Sequence, residues 1–303
     1  MSGMKFLLFA SSDHCYSSMT TMKRFLLLLL VTVLTTTIAA ASVTFEIVAV
    51  IDYPGAVFTS ASGIDDHGDV AGIYNSDSGS VHGFVRLSNG HFSGPIIDPS
   101  DPVKFTEITG MNNRKMFCGF YSSGSFLLSG GLFTDLTAGT HSTTVLGLND
   151  TGDFCGYTSG PDSSFVNIGG TTTLFQVPRS SYGEAHDINN LDQCVGWYTA
   201  SATFQAGFRR DADGTLTYPI IVPGASNTML NGINDSGAMV GEMVEGHAHG
   251  VYFAPSGEAT VYDYPNATST TFTGINNQGL TCGRFIRGGD HGFIVQVKSG
   301  SEE

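Results

Sequence analysis

The chain lacks every short signature that would identify a reaction at sight. It contains no Gly-x-Ser-x-Gly elbow, no His-Glu-x-x-His, no Gly-x-x-x-x-Gly-Lys and no Cys-x-x-Cys, so the standard serine-hydrolase, zincin, nucleotide-loop and paired-thiol readings have no foothold. Positive charge is scarce, with 13 Lys and Arg against 27 Asp and Glu. Nucleic acid needs a basic stripe to neutralise phosphates and is excluded as a partner; an acidic chain suits soluble ligands, cations or other proteins. Long apolar runs are missing too. The one candidate, Phe25 to Leu34, falls short of the roughly 20 residues that span a bilayer, and Thr35-Thr36-Thr37 dilutes it.

That run is flanked by Lys23-Arg24 and Ala39-Ala40-Ala41, the charged, apolar and small-residue regions of a secretory signal. Residues 1–41 are read as this leader, with Met22 as an alternative start. Export to the periplasm or medium, without stable membrane insertion, is therefore expected. Residues 42–303 remain, enough for one large core.

What the chain has instead of motifs is a unit repeated six times. Its cleanest copy is Gly274-Ile275-Asn276-Asn277-Gln278-Gly279-Leu280-Thr281-Cys282-Gly283. The anchors are Asp65, Asn112, Asn149, Asn189, Asn234 and Asn276; a glycine follows each by seven positions, at Gly72, Gly119, Gly156, Gly196, Gly241 and Gly283. Successive anchors lie 47, 37, 40, 45 and 42 residues apart, so insertions fall between units while the core is fixed. Segments such as Asn234-Asp235-Ser236-Gly237 place Asx residues in a turn and glycine where positive φ is needed, the chemistry of a hairpin closed by a glycine bulge. Lys115 and Asp192 take the glycine position in two copies.

A third strand follows in each unit, opening with His82-Gly83-Phe84, Ala206-Gly207-Phe208, His249-Gly250-Val251 or His291-Gly292-Phe293. A turn and a fourth strand close it. Four short strands in each of six units predict an all-β fold, a six-bladed β-propeller with four-stranded blades. The last unit stops after its third strand, and the stretch from Thr44 to Gly55 matches the missing fourth, since Val261-Tyr262-Asp263-Tyr264-Pro265 holds that place in unit five. The N-terminal strand should thus complete the last blade, removing exposed edges and favouring a monomer. A β-sandwich is the alternative, disfavoured by the regular period. On these Gly-Ile-Asn turns and His-Gly-Phe strands the chain resembles the bacterial exported HAF-repeat family over residues 43 to 297, although units two and three carry Ser125-Phe126 and Ser164-Phe165 instead. The resemblance implies export and a propeller-like fold, and no particular reaction.

The repeat also sorts the candidate residues. Cys118, Cys155 and Cys282 directly precede the second glycine, where other copies have Ala71, Val195 and Val240; a place that accepts all three residue types is a small buried strand position. The six anchors could form a ring of oxygen ligands for Ca²⁺, but an Asx residue capping its own turn explains them better. Specific chemistry is expected where one unit breaks the pattern. Unit four has Glu184-Ala185-His186-Asp187 where unit six has Thr271-Phe272-Thr273-Gly274. Three ionisable groups in an innermost strand need partners or a ligand, and a carboxylate beside a histidine is a usable base. Glu184, His186 and Asp187 are the catalytic candidates, with Glu184 and Asp187 as possible cation ligands. Glu107 occupies the Glu184 position in unit two, and with Trp197 and Tyr198 it forms the candidate ligand-binding set. Glu242, His247 and His249 in unit five form a second candidate metal set.

The sequence accordingly leads first to an exported hydrolase of a small lactone or ester, assisted by Ca²⁺ at the channel mouth. A non-catalytic module binding a glycan or protein is the alternative, and a surface-adhesion repeat a third.

Overall fold

The structure is a computed structural model describing residues 42–75, 79–136, 143–159 and 164–299; the expected leader, residues 1–41, lies outside them. Among the described residues there are twenty-three strands. The N-terminal strand is β1 (Val43–Ile51), and the first unit supplies β2 (Phe58–Ile64), β3 (Val70–Asn75) and β4 (Val81–Arg86). The second supplies β5 (Thr106–Met111), β6 (Phe117–Tyr121), β7 (Gly124–Ser129) and β8 (Leu132–Leu136), and the third β9 (Thr143–Leu148), β10 (Phe154–Thr158), β11 (Ser164–Ile168) and β12 (Thr171–Phe175). The fourth supplies β13 (Gly183–Ile188), β14 (Cys194–Ser201), β15 (Phe204–Arg210) and β16 (Leu216–Ile220). The fifth has β17 (Asn227–Ile233), β18 (Met239–Glu245), β19 (His247–Phe253) and β20 (Ala259–Tyr262), and the sixth β21 (Ser269–Ile275), β22 (Leu280–Ile286) and β23 (Asp290–Ser299).

Units two to five each form a separate four-stranded antiparallel meander. The expected six separate four-stranded blades are not the partition seen: four are. The remaining strands form one seven-stranded sheet, β21-β22-β23-β2-β3-β4 with β1 added on β23. One pair joins the two units, and a second local feature leaves the first of them without a fourth strand. A single parallel pair, Phe58 with Asp290, joins β2 to β23, and the first unit's fourth segment is reduced to the bridges Gly83 with Ile96 and Arg86 with Phe92. β1 runs antiparallel to β23 from Val43 opposite Ser299 to Ile51 opposite Gly292, so the N-terminal strand completes the last blade.

The repeated glycine has a steric cause. In every unit the residue opposite it on the third strand is Phe84, Phe126, Phe165, Phe208, Val251 or Phe293, each fully buried. A Cβ on Gly196 would stand 1.9 Å from the Glu184 carbonyl oxygen, and one on Gly119 would meet the Glu107 oxygen at 1.9 Å and the Phe126 ring at 2.9 Å. The residue before that glycine is Ala71, Cys118, Cys155, Val195, Val240 or Cys282, all at zero exposure. The four described cysteines are free. Burial pushes the thiols of Cys118, Cys194 and Cys282 up to about 12, which leaves them poor nucleophiles at neutral pH.

The six hairpins meet in a closed belt. Each anchor caps its own turn, as when Asn112 Oδ1 accepts from the Arg114 and Met116 N–H groups at 3.0 Å. Five anchors also donate from Nδ2 to the carbonyl of the next anchor, ending with Asn276 to Asp65 at 2.7 Å. The residues after the anchors alternate as Asp66, Asn113, Asp150, Asn190, Asp235 and Asn277. Each Asn amide donates to the aspartates on both sides, at 2.8 to 3.2 Å. Each of the six backbone N–H groups donates to the side-chain oxygen of the next unit. The anchor oxygens cap their turns, as the turn chemistry predicts, and are not left free as a ring for a cation; the belt residues line one end of the axial cavity.

Candidate active site

Strand β13 runs towards its hairpin from the end of the propeller away from the belt, so Glu184 and its register partner Trp197 lie towards that far end. The same register position pairs Glu107 with Phe120, Thr144 with Tyr157 and Met229 with Glu242. Whereas the glycine and its buried neighbour hardly vary between units, this level changes from apolar to acidic to aromatic.

In unit four it carries a connected cluster. Glu184 Oε2 lies 2.9 Å from His186 Nε2, and the Trp197 indole N–H donates to the same nitrogen at 2.9 Å. The Tyr182 hydroxyl donates to the other carboxylate oxygen, Oε1. The Tyr182 ring lies 5.5 Å from Trp197 and 6.0 Å from Tyr157. Burial, reinforced by the Glu184 carboxylate, raises the Tyr182 phenol far above its ordinary range, so it remains a donor. The side chains of His186 and Glu184 keep 24% and 15% of their surface accessible, enough for a small molecule to reach them. In units two, five and six the residue at the His186 position ties neighbouring units together: Thr109 donates to the Val145 carbonyl, Asn231 to Phe272 and Thr273 to Ala61. His186 departs from that role.

This nitrogen faces an acceptor and a donor and cannot serve both at once. With Nε2 protonated, the imidazole donates to a Glu184 carboxylate, and the indole N–H loses its acceptor. With Nε2 bare, it accepts from Trp197, and Glu184 carries the proton. The two forms interchange by moving one proton over the 2.9 Å between Glu184 Oε2 and His186 Nε2, a relay that suits a group required both to remove and to deliver a proton.

Asp187 joins neither partner. It takes the place held by glycine in the other five units and lines the axial cavity together with His186. Its Oδ1 accepts from the Ile188 N–H at 2.9 Å and its Oδ2 from the Ile233 N–H at 3.0 Å. Desolvation in this narrow cavity pushes its carboxyl up to about 7. The cavity offers about 80 Å³ to the centres of water molecules, room for a few waters. A Ca²⁺ shared by Glu184 and Asp187 would have to displace Tyr182 and His186 from one carboxylate and two N–H groups from the other.

Three expected members stand apart. Tyr198 is 5% exposed in the core formed with Cys155, Ala185 and Phe208, because successive strand residues point to opposite faces and Trp197 takes the other one. Glu107 has no hydrogen-bond partner among the described residues, and burial raises its carboxyl, but it belongs to unit two and does not reach the cluster. Glu242 accepts from the Thr271 hydroxyl at 2.6 Å and leaves the metal set; the carboxylate beside His247 and His249 is Asp263. Tyr182, Tyr157 and Asp263 escaped sequence reasoning. The alternation Tyr182, Glu184, His186 was a legible signal for the first of these.

No protein-family model matches this sequence, and no curated protein is similar to it. Among solved structures the fold is similar to a protein provisionally described as a gluconolactonase, with a TM-score of 0.50 and 13% identity over 86% of this chain and 95% of that one. It is also similar to a catalytically inactive variant of virginiamycin B lyase from Staphylococcus aureus with quinupristin, with a TM-score of 0.49 and 13% identity over 84% of this chain and 99% of that one. The class is settled: the chain is an all-β propeller. At these identities the likeness speaks for the fold alone.

Proposed function

We propose that this is an exported, monomeric propeller of six blades, the seven-stranded sheet being two blades joined at Phe58 and Asp290, that hydrolyses a small lactone or ester at the open mouth of its channel. The observation carrying this reading is the single nitrogen, His186 Nε2, set 2.9 Å from both the Glu184 carboxylate and the Trp197 N–H. As carboxylate, Glu184 takes a proton from water while the water oxygen bonds to the substrate carbonyl carbon. The carbon–oxygen bond to the leaving group then breaks, and the departing oxygen takes the Nε2 proton of His186. Transfer of the proton from Glu184 to His186 restores the resting state. Tyr182 holds the carboxylate in place, and Trp197 offers an apolar wall. Ca²⁺ held at this mouth would polarise the carbonyl; no step above depends on it.

The aromatic group Tyr157, Tyr182 and Trp197 beside an acid favours a second reading, a glycan-binding module, since flat apolar rings with one polar edge suit such stacking. A panel of lactones, esters and oligosaccharides, with and without chelator, separates the two. Turnover of a lactone or ester that Glu184→Gln lowers at least 10²-fold supports the hydrolase. Saccharide binding without turnover, undiminished in Glu184→Gln, overturns it in favour of the module.

A further inference from the structure

The third-strand histidine forms a repeated pair with the fourth strand. His249 Nδ1 lies 2.8 Å from Asp263 Oδ1, and His291 Nδ1 lies 2.6 Å from Asp52 Oδ1. Both aspartates directly precede a Tyr-Pro pair. A contact recurring in two units serves the sheet, tying its last two strands together. Unit five alone adds a second imidazole. His247 stands two residues before His249, on the same face of β19, where unit six has Gly289 and unit one has Ser80. The two imidazole rings lie 4.0 Å apart, tilted by 40°, and His247 makes no hydrogen bond among the described residues. One nitrogen of each ring and one Asp263 oxygen all fall within 4.8 Å of one another.

We propose that His247, His249 and Asp263 form a binding site for a divalent cation of the zinc class. Two imidazoles and one carboxylate match the donor preference of zinc and its neighbours, whereas Ca²⁺ and Mg²⁺ favour all-oxygen sets. Ligand bonds of about 2.0 to 2.2 Å place neighbouring donors about 3 to 3.5 Å apart, so small rotations of the exposed His247 and Asp263 side chains close the set around the half-buried His249. The Glu245 carbonyl lies 3.4 Å from His249 Nε2. A proton on Nε2 directed at that carbonyl leaves Nδ1, the nitrogen facing Asp263, as the ligand atom, the usual division of labour in a metal-bound imidazole. Three protein ligands leave a fourth position for water. This site is separate from the Glu184 cluster, and its test does not depend on any turnover.

The whole chain, stripped of metal by chelation and dialysed, is titrated calorimetrically with ZnCl₂ and in parallel with CaCl₂. One equivalent of Zn²⁺ bound at micromolar concentration or below is expected, with no Ca²⁺ uptake lost on replacing His247. His247→Ala and Asp263→Asn should each weaken Zn²⁺ binding about tenfold or more. The melting temperature of metal-free His247→Ala should change little, because that side chain is exposed and makes no hydrogen bond among the described residues, so lost binding cannot be ascribed to unfolding. Absence of a one-equivalent Zn²⁺ site in the natural chain overturns the proposal. Zn²⁺ affinity unaltered by both substitutions, which would place the ion elsewhere, overturns it equally.

Discussion

Lys115 of the second hairpin reaches back to Asp65 of the first, pairing with its carboxylate and with that of Asp69. The relationship repairs a defect in the belt. Five anchors are Asn and donate to the next anchor carbonyl; Asp65 has no N–H to give, and its side chain is fully buried. Lys115, in one of the two places where a hairpin lacks its glycine, supplies the missing positive end at a φ of 59°. Lys115→Met should therefore cost about 1–2 kcal/mol, less than the 3–5 of a wholly buried broken pair because the lysine side chain is 42% exposed. Asp65→Asn combined with Lys115→Met should recover most of that loss, since an Asn can cap its turn and donate onward as the other five do. Urea unfolding of the two singles and the double forms a complete cycle; additive losses would refute the compensation.

Asp187 gives the protein a pH dependence of opposite sign to an ordinary paired acid. Its carboxyl is raised from 3.8 to about 7 by desolvation in the channel, so between these values the folded chain holds a proton that the unfolded chain has released. Stability from this group is fullest below about pH 4 and declines as pH rises to about 7, where it levels off. The full shift corresponds to about 4 kcal/mol at 1.36 kcal/mol per unit, an upper figure if water follows the ionised carboxylate into the cavity. Asp187→Asn should remove this slope. Unfolding free energies measured from pH 4.5 to 8 on both chains check it: parallel curves would show that Asp187 ionises normally.

The fold was legible in the sequence to the extent that its steric rules repeat. The glycine opposite a buried Phe, the small residue before it and the Asx turn recur because every unit packs its strands in the same way, and the N-terminal strand was found by matching Asp52-Tyr53-Pro54 to Asp263-Tyr264-Pro265. What the period could not disclose was the merging of units one and six, which rests on one pair, Phe58 with Asp290. For the site, a break in the pattern pointed to Glu184, His186 and Asp187, but the bulge between Ala185 and Asp187 upsets the alternation that would have foretold their directions. Asp187 turned to backbone N–H groups, and Tyr198, adjacent to Trp197, went into the core. Asp263 lies 14 residues from His249, and only strand register brings them together.

Gly196 couples the repeat to the chemistry. A methyl there would stand 1.9 Å from the Glu184 carbonyl oxygen and 3.0 Å from the Ala185 Cα, both backbone atoms that cannot rotate away. Gly196→Ala is expected to destabilise by about 3 kcal/mol or more, at the upper end of overpacking costs, and to shift Glu184 away from His186. Gly94→Ala is the control, having no positive φ and no atom within 4 Å of the added methyl, and should change stability by less than about 0.5 kcal/mol. Thermal unfolding of both variants measures the difference. Equal effects would mean that the strand pair absorbs the methyl and that the glycine is not sterically required.

Trp197 serves two readings of the site and can be split between them. Its ring is a wall that a lactone or a sugar could lie against, while its N–H donates to the His186 nitrogen that also faces Glu184. Trp197→Phe keeps most of the apolar surface and deletes the donor. If the cluster acts as an acid–base pair, the bare form of Nε2 loses its partner, the proton settles between His186 and Glu184 as an ion pair, and kcat should drop about 10-fold or more with KM little changed. Trp197→Ala should then raise KM as well, through loss of the wall. On the glycan-binding reading the order reverses: Trp197→Phe retains affinity, and only Trp197→Ala weakens it, by about 1–2 kcal/mol for a lost aromatic contact. Steady-state kinetics and binding isotherms on the same two variants decide between them, because the acid–base reading requires an effect of removing one N–H that the stacking reading does not allow.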